Sequence, residues 1–143
     1  MSNNINTLEP TLVWKYFSEI NQIPRPSKKE QKMVAYLQET GKKLGVETLT
    51  DEVGNVLMRK PATPGKEKVT PIIFQSHTDM VCEKNGDVNF DFEKDAIQTY
   101  IDGEWMKAKG TTLGADDGIG VAMALDILES KDIAQIGRAS CRE

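Results

Sequence analysis

One histidine, His77, and two cysteines, Cys82 and Cys141, are all that 143 residues offer of the side chains most used to bind transition metals. Two thiols cannot build a disulfide framework, so a reducing compartment is expected, and with it a cytoplasmic location. No apolar run approaches the roughly 18–20 residues that cross a bilayer. The opening MSNNINTLEP has neither the basic nor the apolar stretch of a secretory signal. Basic excess is missing as well: 18 Lys and Arg stand against 22 Asp and Glu, a formal net charge of −4. That leaves no electrostatic footprint for nucleic acid, and neither nucleic acid nor a membrane is expected as a partner. Internal repeats and low-complexity tracts are absent. The composition that is present, 38% hydrophobic and 28% charged, suits an ordinary globular chain with room for one modest domain at most.

Periodicity predicts a helix over 7–22, with Val13, Tyr16, Phe17 and Ile20 on one stripe and Thr7 and Pro10 as start signals. Ile23-Pro24-Arg25-Pro26 cannot continue it. Ser27 and Glu30 have capping-box spacing for a second helix, with Met33, Val34, Leu37 and Leu44 on its inner face and Gly45 as its left-handed cap. Short strands are expected at 46–50 and 55–60, an exposed loop at 61–68, and a strand buried on both faces at 71–76. An acidic loop follows at 83–95, then a hairpin whose two-residue turn is Asp102-Gly103. A third helix begins near Asp116, with Val121, Ala122, Leu125 and Leu128 facing inward and Asp126 and Glu129 outward. Alternating helices and strands argue for an α/β layer structure, whose sheet is expected to be mixed because the hairpin is antiparallel.

Two segments carry chemistry. His77 directly follows the strand at 71–76, where open α/β sheets bind ligands at strand carboxyl ends. Imidazole is the commonest metal ligand, and its second ring nitrogen normally needs an orienting acceptor. Asp79, two residues on, can reach the same side. The second segment is Thr111–Gly120, where Asp116 and Asp117 stand between glycines at a helix start. Free N–H groups there keep a carboxylate ionised and fixed, as a metal-bridging carboxylate must be. Each segment has a plainer reading: a surface His–Asp pair, and an N-cap with first-turn charge complementation. Cys82 reads as a small buried apolar residue, and Trp105 as a packing residue.

Together, His77-x-Asp79, a gap of some forty residues, and Gly114-Ala115-Asp116-Asp117-Gly118-Ile119-Gly120 resemble the M20 family of di-zinc aminopeptidase-like enzymes, in particular its aminoacyl-histidine dipeptidases. Ile23–Ser27, Asp51–Val56 and Gln75–Val81 support the resemblance, which runs from about Leu8 to Ala134. It implies a partial mixed sheet with flanking helices, an incomplete di-zinc catalytic domain. It implies that His77 ligates one zinc, that Asp116 bridges two (Co or Mn as substitutes), and that Asp79 lies behind His77 as a catalytic residue that orients it. The implied partner is a small peptide substrate, Xaa-His preferred, and the whole enzyme is expected to be a homodimer. A related tripeptidase branch is similar at Gly114–Asp117 but tends to place Lys where Gly118 stands here. A non-catalytic α/β binding module is the rival from another class.

The family's downstream Glu-Glu pair and its remaining ligands find no match in this sequence, so the chain alone is expected to be inactive and prone to aggregate at open sheet edges. Residues 1–134 are expected to form the front part of the catalytic domain. Residues 135–143, QIGRASCRE, read as a non-native tail, because they back-translate to the opening of a common sequencing adapter.

Overall fold

The computed structural model describes Ile5, residues 8–131 and, for 137–142, the backbone. Local signals account for the helices. Val13, Tyr16, Phe17 and Ile20 are buried on one face of α1 (Thr11–Asn21), and Pro10 occupies its N-cap. Thr7 lies outside the described residues. Helix α2 (Gln31–Leu44) buries Met33 and Leu37 and ends at Gly45, whose φ of +67° is the expected left-handed cap. Its start differs from expectation. Glu30, not Ser27, is the N-cap; its carboxylate accepts the Lys28 amide, while the Ser27 hydroxyl is drawn away to Asp79.

Helix α3 (Ala115–Glu129) buries Val121, Ala122, Leu125 and Leu128 as its stripe predicts. It is not helical throughout: Asp116 and Asp117 hold non-helical backbone, so regular turns begin at Gly118. Asp126 and Glu129 are half-buried rather than outward, and Glu129 accepts a hydrogen bond from Tyr16, joining α3 to α1.

Strands β1 (Glu47–Thr50) and β2 (Val56–Arg59) pair antiparallel, close to the expected bounds. Their turn is fixed by the Asp51 carboxylate, which accepts the amides of Val53 and Asn55. Strand β3 (Ile72–His77) ends on the histidine. The hairpin of β4 (Thr99–Asp102) and β5 (Trp105–Ala108) is a separate two-stranded sheet, turning at Gly103-Glu104, one residue later than expected. Trp105 is exposed there rather than packed.

A further strand, β6 (Gly137–Arg142), was not expected in the sequence. It lies between β2, to which it is antiparallel, and β3, to which it is parallel, giving the order β1-β2-β6-β3. The sheet is therefore mixed because of β6, not because of the hairpin. Such pairing uses backbone groups that every residue but proline carries, so it says nothing of the origin of the sequence at 135–143.

Strand β3 stands at the sheet edge. Ile72, Ile73 and Phe74 are exposed, Ile73 at 63%, which corrects the expectation of a strand buried on both faces. Burial on both faces needs covering elements on both, and the described residues do not supply them. The core gathers instead around Phe17, Ile20, Leu37, Met58, Val121 and Leu125, where the three helices meet the sheet. This packing brings the carboxyl end of β3 beside the start of α3.

Candidate metal centre

Two backbone hydrogen bonds, which make up one bridge, and a bond from a side chain draw together the segments that follow β3 and precede α3. Lys84 forms an isolated antiparallel bridge with Thr111. The amide of Asn85 donates to Gly110 O at 2.9 Å, and that of Thr112 to Glu83 O at 2.9 Å. The Thr112 hydroxyl adds a bond to Val81 O at 2.6 Å. With these strips zipped, His77 and Asp116 face each other although 39 positions separate them: Nε2 lies 3.1 Å from Oδ1 of Asp116.

The other ring nitrogen is held from behind. Nδ1 of His77 lies 3.0 Å from Oδ1 of Asp79 and 3.2 Å from its carbonyl oxygen. The second carboxylate oxygen of Asp79 accepts the Ser27 hydroxyl. An N–H at Nδ1 directed at Asp79 fixes the tautomer that leaves the Nε2 lone pair toward Asp116. When both nitrogens carry protons, each donates to a carboxylate. Burial pulls the imidazole pKa down, but the Asp116 hydrogen bond, the Asp79 charge and the bond to Asp79 outweigh it, leaving His77 above its ordinary value. Asp79 is held below the usual carboxylate range, first by the Ser27 hydrogen bond and then by His77.

The pair is open to water: the side chain of His77 is 41% exposed and that of Asp116 97%. Gly114 is the N-cap of α3 and has no side chain to cap it, and Asp116 and Asp117 stand in the first turn, where a carboxylate complements the helix dipole. Cys82, expected to be buried, is half-buried; its thiol lies near Met80 O, and burial raises its pKa.

An imidazole nitrogen and a carboxylate are donor types that divalent zinc takes. They fit part of a site only. Among the described residues, no group of three or more His, Cys, Asp or Glu side chains could hold a metal ion, whereas catalytic zinc keeps about three protein ligands plus water.

Two residues in the site escaped sequence reasoning. Ser27 reads as a helix cap and Arg25 as part of a helix-breaking stretch, and both enter the family resemblance without a role of their own. Arg25 is 1% exposed, and its guanidinium donates to the carbonyls of Thr78, Asp79 and Gly114. A long polar side chain fixed between two prolines was the available signal.

No protein-family model matches the chain. It is 47% identical over 131 residues, 92% of its length, to the cytosol non-specific dipeptidase of Escherichia coli (strain K12), and covers 27% of that protein. Among solved structures it resembles an aminoacylhistidine dipeptidase from Vibrio alginolyticus, with a TM-score of 0.91 and 46% identity over 96% of this chain and 28% of that one. An aminopeptidase PepT from Bacillus cereus ATCC 10987 is similar at TM-score 0.69 and 27% identity, over 91% of this chain and 35% of that one. A tripeptidase from Staphylococcus aureus (TM-score 0.70, 21% identity, over 94% of this chain and 36% of that one) shares the fold. The chain thus spans about a quarter of the length of the dipeptidases it matches, and the resemblance read from its motifs is borne out.

Proposed function

We propose that the chain is the front part of the catalytic domain of an M20-type dipeptidase, and that the whole enzyme hydrolyses dipeptides in a metal-dependent way, with Xaa-His preferred. The observation that carries this reading is the convergence of His77 Nε2 and Asp116 Oδ1 to 3.1 Å, with Asp79 on the opposite ring nitrogen. Similarity to two dipeptidases at 46–47% identity, against 27% to an aminopeptidase, supports the dipeptide reading.

In this reading His77 and Asp116 would hold the metal, Asp116 serving both of two zinc ions, and Asp79 would orient His77. Divalent cations bound there would polarise the scissile carbonyl and acidify a water. The residues of this chain hold the imidazole in one tautomer, keep Asp79 ionised and present both donors to solvent. A general base and further ligands belong to the longer protein, so the chain alone is not a catalyst. A cytoplasmic location and a homodimeric whole enzyme complete the proposal; among the described residues no helix is long and apolar enough to cross a membrane.

We also infer that residues 135–143 are foreign sequence, a point decided by reading the source locus. The function is tested by assaying the longer protein on an Xaa-His dipeptide and on a tripeptide, before and after chelation. Dipeptide hydrolysis that chelation abolishes and zinc restores is expected. Chelator-resistant activity, or faster tripeptide hydrolysis, would overturn the reading.

A further inference from the structure

We propose that Arg25 is a positioning residue: from inside the protein it clamps the segment carrying His77 and Asp79 to the segment carrying Asp116, and so sets the spacing of their side chains. Nη1 donates to Thr78 O at 3.2 Å and Asp79 O at 3.3 Å, and Nη2 to Gly114 O at 2.7 Å. The main chain of Arg25 grips the same turn, because its carbonyl accepts the Met80 amide at 3.1 Å and Pro26 bridges Met80. One residue therefore holds the turn after His77 and the residue two before Asp116. The bridge of Lys84 with Thr111 lies further along the chain from both residues.

The surroundings are built for a guanidinium. A Cβ on Gly114 would fall 2.4 Å from Nη2, and one on Gly118 2.9 Å from it, so both glycines make room for the fork. Its hydrogen-bond acceptors are backbone carbonyls rather than carboxylates, and among the described residues Nε finds no acceptor. Burying a cation on such terms is costly. The arrangement supplies geometry instead: a planar fork reaches two chain segments at once, which the single ammonium of lysine does not. Burial pushes the Arg25 pKa down to about 10, which leaves it charged at neutral pH.

The clamp itself does not depend on what His77 and Asp116 bind, but its catalytic weight rests on their being ligands. The chain has a single histidine, so its ring protons give unambiguous NMR signals. Nuclear Overhauser cross-peaks between the His77 ring and the Asp116 β-protons report the spacing, and those between Phe17 and Val121 report the core. In Arg25→Met we expect the first set to vanish and the second to persist, with Arg25→Lys restoring the first only in part. Intact His77–Asp116 cross-peaks in Arg25→Met overturn the clamp. If that variant loses its core signals, Arg25→Lys decides: lost site peaks over an intact core support the clamp, and intact site peaks overturn it. Loss of the core in both variants also overturns it, since Arg25 would then serve folding alone. In the longer protein, Arg25→Met should cut kcat about 100-fold with KM little changed. Unchanged kcat alongside lost cross-peaks leaves the clamp standing and overturns the ligand assignment.

Discussion

In a Gly114→Ala variant, a methyl group would be placed 2.4 Å from Nη2 of Arg25 and 2.9 Å from Sδ of Met80, on a backbone with φ +69°. Two costs combine. A side chain in left-handed backbone costs about 1–2 kcal/mol. Overpacking costs about 1–3 kcal/mol, and relief is hard here because Arg25 is held by three carbonyls. The sum is about 2–5 kcal/mol. With a urea m-value of about 2 kcal/mol/M, the unfolding midpoint should fall by about 1–2.5 M. Gly65→Ala is the matched control: its φ is +85° and nothing lies within 4 Å of the added Cβ, so it carries the backbone cost alone. Urea unfolding followed by circular dichroism measures both. Equal destabilisation of the two variants would refute the argument that Arg25 packs rigidly against Gly114.

The His77 imidazole should titrate above 6.5 in a metal-free NMR titration, and Asp79→Asn should lower its pKa. Since the folded pKa is raised, the stability drawn from its carboxylate partners is fully present below pH 6.5 and fades as pH rises through the folded value; titration at or below 6.5 would contradict the pairing. Leu125→Ala empties a fully buried position in the core and should cost about 2–5 kcal/mol by urea unfolding, whereas a loss well under 1 kcal/mol would place that side chain outside the core.

The features that could be read from the sequence are those decided within a few residues. The stripe of α1, the Gly45 cap and the hairpin each rest on local periodicity or one turn. Burial of β3 could not be read this way, because an apolar run does not reveal whether anything covers it, and Ile72–Phe74 lie exposed. Strand β6 was equally hidden: it fills a place between β2 and β3 through backbone pairing. In the site, His77, Asp79 and Asp116 stood out because their side chains are rare in number or special in spacing. Ser27 and Arg25 did not, since their partners lie 52 to 89 positions away and a local rule offered each a plausible other role.

The most direct test of the account is the zinc content of the longer protein, measured by elemental analysis alongside dipeptide hydrolysis for wild type, His77→Ala and Asp116→Ala. If Asp116 is shared between two ions and His77 serves one, Asp116→Ala loses both, His77→Ala loses one, and each variant loses hydrolysis. Full metal content with undiminished hydrolysis in either variant would contradict it.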